Sequence, residues 1–332
     1  FGSADFSTVI NCSFFIDKSL FIEEVINGGK VILTAPSGFG KSTNLNMLKR
    51  FFEIPVNERG VIQILSRTFN YNLFKKNNLL ITHNQLFFNK HFGKYPVIYI
   101  DYTDLCEIQN FDDFLKKFVI KMKYIYSYYK YLLYSDVLWS GVYGEKDLFV
   151  KFVYDNSTLE EYDLRIGFDF LIELLYKHFN QSVIVLIDEY DTFINFLTKQ
   201  TFVEENMLDF FLRLNQCFFR SDYVSHAIIM TDVVVDEGSP VHPLDYKKVC
   251  VFKSNVYWRH FGITEDELLS LLPKCINVVS VENFKSYFEK DVLKLKRIFE
   301  RYRLLEYFRG YFEVFTVYRF TPLIKFITNE LH

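Results

Sequence analysis

The stretch that decides the fold lies at residues 31–43 and reads VILTAPSGFGKST. Its apolar first half predicts a β-strand, and the apolar residues at positions 45, 48, 51 and 52 predict an amphipathic helix after it. A glycine-rich loop joins the two, and glycines let backbone N–H groups come close to a phosphate. The helix would begin at Lys41 and point the positive end of its dipole at the anion. The stretch therefore predicts a phosphate-binding loop between a strand and a helix.

The end of this loop supplies the side chains that a nucleoside triphosphate needs besides the backbone. Lys41 is placed to contact the β- and γ-phosphates, and the Ser42 hydroxyl is placed to bind Mg²⁺. Ala35 departs from the usual G-x-x-x-x-G-K-[ST] pattern because it stands where the first glycine belongs, and an ordinary glycine-rich turn is the alternative. The loop residues predicted to surround the nucleotide are Pro36, Ser37, Gly38, Phe39, Gly40, Lys41, Ser42 and Thr43.

A second apolar run, VIVLI at residues 183–187, ends in Asp188 and Glu189. A carboxylate at the carboxyl end of a buried strand beside the phosphate loop can hold Mg²⁺, which is the role predicted for Asp188. Glu189 is predicted to be the general base that activates the attacking water, with Lys41 as its catalytic partner on the phosphates. A strand that ends in Asp-Glu is common by itself. Both motifs in this order predict nucleotide hydrolysis, with ATP and Mg²⁺ as the cofactors.

Composition and charge narrow the class of protein. Half of the 332 residues are hydrophobic and 24% are charged, which is typical of a folded chain. The net charge of −3 does not indicate a nucleic-acid-binding domain, since such domains are strongly basic. The five cysteines include no C-x-x-C pair, so neither a zinc site nor a disulfide framework is indicated. No membrane span and no secretory signal are visible, and we expect a soluble intracellular protein.

The pattern along the chain predicts a doubly wound α/β fold of the P-loop NTPase type. Amphipathic helical patterns alternate with apolar runs, and helical insertions are expected around residues 57–94 and 134–163. The predicted strands of the five-stranded parallel sheet are residues 30–35, 95–102, 182–188, 226–232 and 248–253.

The C-terminal part of the chain has a different character. Residues 264–267, TEDE, are typical of a capping box, and residues 284–307 predict a long amphipathic helix. We therefore predict a nucleotide-binding domain over residues 1–255 and a helical lid subdomain over residues 256–332.

Several segments resemble the predicted AAA-ATPase-like family, in which a P-loop domain is often joined to a restriction-endonuclease-like nuclease domain. They are DF at 5–6, FIDKSLFI at 15–22, FGKS at 39–42, HFGKYPVI at 91–98, LIDEYD at 186–191, FGITEDE at 261–267 and a closing segment at 311–326. The resemblance implies a P-loop ATPase and supports the roles given to Lys41, Ser42, Asp188 and Glu189.

Two departures from the family pattern limit what the resemblance implies. Residues 35–38 read APSG where the family usually has R-P-R-R, so a role carried by those arginines is not transferred. The resemblance stops near residue 326, before a nuclease would begin, and no D…(D/E)-x-K pattern replaces it. We therefore expect the nuclease part to be absent from these residues.

Further candidate residues flank the predicted site. Thr231 and Asp232 end the fourth predicted strand, where Thr231 could contact the γ-phosphate or orient water, and a structural turn is the alternative. Asp17 and Lys18 could lie near the adenine or serve in packing and helix capping. The candidates for an arginine finger are Arg165, Arg213, Arg220 and Arg259, and a surface ion pair is the favoured alternative for each.

Residues 116–131 interleave five lysines with five tyrosines. This pattern could hold a nucleic-acid strand by charge and stacking, although an amphipathic helix with a solvated lysine face explains it without a ligand and is favoured. Two rivals to an ATPase follow: a nucleotide-dependent switch or scaffold with little hydrolysis, and the ATPase half of a nucleic-acid-processing system. A protein partner and self-association are left open, as is the choice between ATP and GTP.

Overall fold

The central element of the fold is a five-stranded parallel sheet. The computed structural model describes residues 4–12, 15–105, 108–139, 144–154, 158–198, 205–232, 247–264, 266–267, 270 and 317–318. The strands are β1 (Lys30–Thr34), β2 (Val97–Asp101), β3 (Val183–Asp188), β4 (Val224–Thr231) and β5 (Lys247–Cys250). Their order is β2-β3-β4-β1-β5, and every neighbouring pair is parallel. The predicted parallel sheet is confirmed, and β4 separates the strand before the loop from the strand that carries Asp188.

Helices cover both faces of this sheet, as a doubly wound fold requires. The helices of the described part are α1 (Phe6–Val9), α2 (Phe21–Gly28), α3 (Lys41–Phe52), α4 (Phe69–Lys76), α5 (Gln85–His91), α6 (Phe111–Ser127), α7 (Glu145–Val153), α8 (Glu161–Phe179), α9 (Tyr190–Thr198) and α10 (Glu205–Arg220). None of them combines the length and the apolar character that a membrane span requires.

Alternate residues of the central strands enter two separate hydrophobic cores. Along β3, Ile184 and Leu186 belong to the core that contains α1 to α5, whereas Val183, Val185 and Ile187 belong to the core of α6 to α10. Successive side chains of a strand point to opposite faces, so a strand that is buried on both sides must be apolar throughout. This is why the apolar runs in the sequence predicted the positions of the strands.

The two predicted insertions are helical within the described residues. Helices α4 and α5 lie in the first, and α7 lies in the second. Helix α6 ends at Ser127, and a short 3-10 turn over Lys130–Tyr134 follows it.

Two tyrosines of the lysine- and tyrosine-rich segment 116–131 are buried inside the protein. The Tyr126 hydroxyl donates to the Gly167 carbonyl oxygen and the Tyr129 hydroxyl to the Val97 carbonyl oxygen, each at 2.6 Å, and both rings are buried. Tyr124 and Tyr128 are exposed. Because most buried tyrosine hydroxyls here satisfy backbone carbonyls, the structural explanation of this pattern is the better one.

The described residues after β5 pack onto the core that contains α1 to α5. Tyr257 and Phe261 are buried against Phe21, with ring centroids 6.2 and 5.3 Å apart. The capping box is formed: the Thr264 N–H donates to the Glu267 carboxylate at 2.8 Å, and the Glu267 N–H donates to the Thr264 hydroxyl at 3.4 Å.

A two-stranded antiparallel sheet that the sequence analysis did not predict also lies in this part of the chain. It pairs β6 (Ile263–Thr264) with β7 (Val317–Tyr318). The helix predicted over residues 284–307 and most of the predicted lid lie outside the described residues. The domain boundary after residue 255 therefore stays a prediction.

Candidate nucleotide site

The loop between β1 and α3 has the backbone that its glycines predict. Gly38 and Gly40 have φ values of 84° and 87°, and a residue with a Cβ would be strained in this left-handed region. Ala35 is fully buried, and its N–H donates to the Thr231 carbonyl oxygen at 3.0 Å, which continues the pairing of β1 with β4. The loop thus leaves a fixed strand and enters α3 at Lys41, in the order that the sequence predicts.

Lys41 lies at the amino-terminal end of α3 with its side chain buried. Its ammonium group forms an ion pair with the carboxylate of Asp232, directly after β4. The Asp232 N–H in turn donates to the Asp191 carboxylate at 3.0 Å, and Asp191 is 2% exposed. The loop lysine therefore has a carboxylate partner supplied by the strand next to β1.

Asp188 ends β3 and is 2% exposed. The Ser42 hydroxyl lies beside its carboxylate, so the fold brings together the two residues predicted to hold Mg²⁺. Burial and the nearby Asp101 raise the pKa of Asp188, while Ser42 and Lys41 act in the opposite direction. Asp188 therefore lies near the side-chain oxygens of Ser42 and Asp101 at the carboxyl edge of the sheet.

Glu189 follows directly and has an unusual backbone. Its φ is 52°, in the left-handed region where a non-glycine residue costs ~1–3 kcal/mol. Its carboxylate accepts a hydrogen bond from the Thr192 hydroxyl at 3.1 Å. Burial and the charges of Asp232 and Asp188 raise its pKa, although Lys41 lowers it. Strained residues are concentrated at functional sites, so this backbone is a second, independent sign of function.

The comparison with known families agrees with this geometry. A family model described as Predicted AAA-ATPase matches residues 1–235. The chain belongs to the Predicted AAA-ATPase family. No curated protein and no solved structure matches it significantly. The matched part of this Predicted AAA-ATPase contains the loop, Asp188, Glu189 and Asp232, and the suspected family is thereby confirmed.

Two residues predicted to contact the nucleotide have side chains with protein partners. The Thr231 hydroxyl is buried and lies 2.9 Å from the Thr34 hydroxyl, between the neighbouring strands β4 and β1. The Phe39 ring is buried against Phe252 at 4.9 Å between centroids, and the Phe39 carbonyl oxygen accepts the Gly262 N–H at 2.9 Å. Phe39 thus joins the loop to a segment beyond the matched residues.

Other candidates have structural roles. The Asp17 carboxylate accepts from the Ser19 N–H at 2.8 Å and from the Leu80 N–H at 2.6 Å. Lys18 is buried, and its ammonium group donates to the Arg259 carbonyl oxygen and to the Glu267 carboxylate, each at 2.7 Å. Packing and capping therefore explain Asp17 and Lys18, which the sequence left undecided.

Two of the candidate arginine fingers form ion pairs within their own helices. Arg165 pairs with Glu161 on α8, and Arg213 pairs with Asp209 on α10 at 2.7 Å. All four arginines are exposed, and the pairs of Arg165 and Arg213 agree with the surface ion pairs that the sequence analysis favoured.

Tyr99 on β2 was missed by the sequence analysis. Its hydroxyl lies beside the Asp188 carboxylate, which raises the pKa of Tyr99 together with burial. A tyrosine inside an apolar strand carries no motif by itself, and only the register of β2 against β3 places it beside Asp188. The contact of Asp191 with the Asp232 backbone depends equally on the tertiary fold.

Proposed function

We propose that this protein binds ATP together with Mg²⁺ and hydrolyses the nucleotide. The observation that carries the proposal is the placement of the Ser42 hydroxyl beside the buried Asp188 carboxylate, with Lys41 and Glu189 near them. P-loop ATPases use these residue types for the metal, the phosphates and the attacking water. Family membership supports the same function at a coarser level.

The donor set suits Mg²⁺. This hard cation takes one or two carboxylate or hydroxyl oxygens from a protein and completes its shell with phosphates and water. Within the described ranges no group of three or more His, Cys, Asp or Glu side chains is arranged to hold a metal ion, so a two-residue site at Ser42 and Asp188 fits an ion that binds with the nucleotide. When bound, Mg²⁺ neutralises charge on the β- and γ-phosphate oxygens.

The protein's own residues would then supply the remaining steps. Lys41 would leave Asp232 and contact the phosphates, where it offsets the negative charge. Glu189 would accept the proton of the water that attacks the γ-phosphate. Its raised pKa suits this role, because a general base works best when its pKa lies nearer the working pH.

The segment after β5 would respond to the nucleotide as part of a lid over residues 256–332. Its contact with the loop supports this proposal, since the Gly262 N–H and the Phe252 ring both touch Phe39. A change in loop position on nucleotide binding would reach this segment directly. Hydrogen exchange across residues 251–264 should differ with and without ATP, and equal protection would identify the segment as a fixed part of the core.

A nucleotide-dependent switch with little hydrolysis is the second candidate. The ion pair of Lys41 with Asp232 favours it, because exchange of this partner for phosphate is a two-state event that needs no chemistry. The third hypothesis, a nucleic-acid-processing role, gains no support from residues 116–131, where Tyr126 and Tyr129 are buried.

Calorimetric ATP binding with and without Mg²⁺, followed by phosphate release, separates these functions. Lys41→Ala should abolish or severely weaken binding, because it removes the cation from the phosphates. Lys49→Ala is the matched control, since Lys49 lies on the same helix and pairs with Glu53 at 3.1 Å. A folded Lys41→Ala variant that binds ATP as tightly as the parent would overturn the loop assignment. Mg²⁺-dependent binding without turnover in the parent would favour the switch.

A further inference from the structure

Tyr99 lies in a position from which it can act on the proposed metal ligand. Strands β2 and β3 are parallel, with Tyr99 paired to Leu186 and Asp101 paired to Asp188. Because side chains alternate along a strand, Tyr99 and Asp188 emerge on the same face of the sheet. They are offset by two residues, or roughly 6.6 Å along the strand, a distance that a tyrosine side chain can span.

The hydroxyl of Tyr99 reaches the carboxyl edge of the sheet. It lies beside the Asp188 carboxylate, and the charges of Asp101 and Glu189 also act on it. A phenol O–H donates and a carboxylate accepts, so Tyr99 would be the donor and Asp188 the acceptor.

Two hydroxyls thus act on Asp188, one from Ser42 and one from Tyr99. Ser42 belongs to the proposed metal site itself, whereas Tyr99 enters from the neighbouring strand β2. A carboxylate that binds a metal is oriented by hydrogen bonds from outside the metal's own ligands, and the loss of such a partner typically costs 10–100-fold in metal affinity or activity.

We propose that Tyr99 is a positioning residue that fixes the orientation of the Asp188 carboxylate for Mg²⁺. The proposal rests on the proposed nucleotide and metal site. Tyr99 has no contact with substrate in this role. The Tyr99 ring also packs against the core of α1 to α5.

Tyr99→Phe tests the assignment because it removes the hydroxyl and keeps the ring. The measurement is equilibrium binding of a fluorescent ATP analogue over a range of Mg²⁺ concentrations, together with binding in EDTA. We expect the Mg²⁺ concentration for half-maximal effect to rise ~10–100-fold, with unchanged affinity in EDTA. Tyr95→Phe is the control, since the Tyr95 hydroxyl lies just before β2 and contacts His91 Nδ1 at 2.7 Å.

A double-mutant cycle separates positioning from packing. In an Asp188→Asn background, Tyr99→Phe should change the Mg²⁺ dependence no further, because its effect passes through the carboxylate. An undiminished effect in that background would overturn the assignment, as would a Tyr99→Phe variant with the parent's Mg²⁺ dependence. If instead the parent itself binds the analogue without any Mg²⁺ effect, the proposed metal site fails and the role of Tyr99 fails with it.

Discussion

Replacement of Asp232 by asparagine would remove the negative charge that Lys41 contacts in this structure. The Lys41 side chain is 4% exposed and that of Asp232 is 33% exposed, so the pair lies between a surface and a buried ion pair. Opposite unit charges 4 Å apart attract by about 4 kcal/mol at an effective dielectric constant of 20. Desolvation and solvent screening reduce the net value to ~1–2 kcal/mol.

This ion pair competes with the nucleotide, because the same ammonium group is proposed to contact the phosphates. The Asp232 carboxylate would also repel a γ-phosphate brought close to it. We therefore expect Asp232→Asn to tighten ATP binding about tenfold, which corresponds to ~1.4 kcal/mol. Without nucleotide, the variant should melt at a lower temperature than the parent, since the buried ammonium of Lys41 loses its ion-pair partner.

Calorimetry in EDTA gives the affinity, and thermal unfolding with and without ATP gives the stability. The expected pattern is a lower melting temperature without ATP and a larger rise on its addition. Asp209→Asn is the matched control, since it removes a carboxylate from an exposed pair with Arg213 at 2.7 Å. Unchanged or weaker ATP binding by Asp232→Asn would refute the competition and make Asp232 a contributor to nucleotide binding.

Two further predictions concern the acidic residues at the end of β3. Glu189→Asn should raise the stability by ~1 kcal/mol, because asparagine tolerates the left-handed backbone better, and turnover should fall at least ~10²-fold; a melting temperature at or below that of the parent would remove the argument from strain. Because the pKa of Asp188 is raised in the folded protein, ionisation of this carboxyl group lowers the free energy of unfolding. The loss is absent at acid pH, where the group is protonated in both states, and it is complete once the pH exceeds the pKa of the folded state. Asp188→Asn should therefore be more stable than the metal-free parent at neutral pH, with a gap that closes as the pH falls below the ordinary range of aspartate. A gap that is independent of pH in unfolding titrations would contradict this.

The sequence located the strands because burial on both faces makes them apolar throughout. The start of β4 was placed two residues late, since the strand begins at Val224 although the prediction began at residue 226, and β5 ends at Cys250, three residues before its predicted end at 253. Ser225 and His226 interrupt the apolar run, and the His226 Nε2 atom contacts the Ile26 carbonyl oxygen at 3.0 Å. A polar residue with a buried backbone partner cannot be distinguished from a loop residue by periodicity alone.

The candidate site was partly predictable for a similar reason. Lys41, Ser42, Asp188 and Glu189 belong to local motifs, and each motif implies its own chemistry. The role of Tyr99 depends on the register of β2 against β3, which the sequence does not encode locally. The ion pair of Lys41 with Asp232 was equally unpredictable from the sequence, because it depends on β4 lying beside β1.

Phe39 has a consequence for how this sequence can change during evolution. Its ring occupies a space closed by Phe252, and its carbonyl oxygen accepts the Gly262 N–H. A smaller residue at position 39 would leave a void unless position 252 became larger, so the two positions should co-vary among relatives. Recombination that replaced the segment after residue 235 would also replace Phe252 and Gly262, the residues that contact Phe39 of the loop. The family match ends at residue 235, so the loop lies inside the matched part and the residues that contact Phe39 lie outside it. Selection must nevertheless keep these two parts of the chain together.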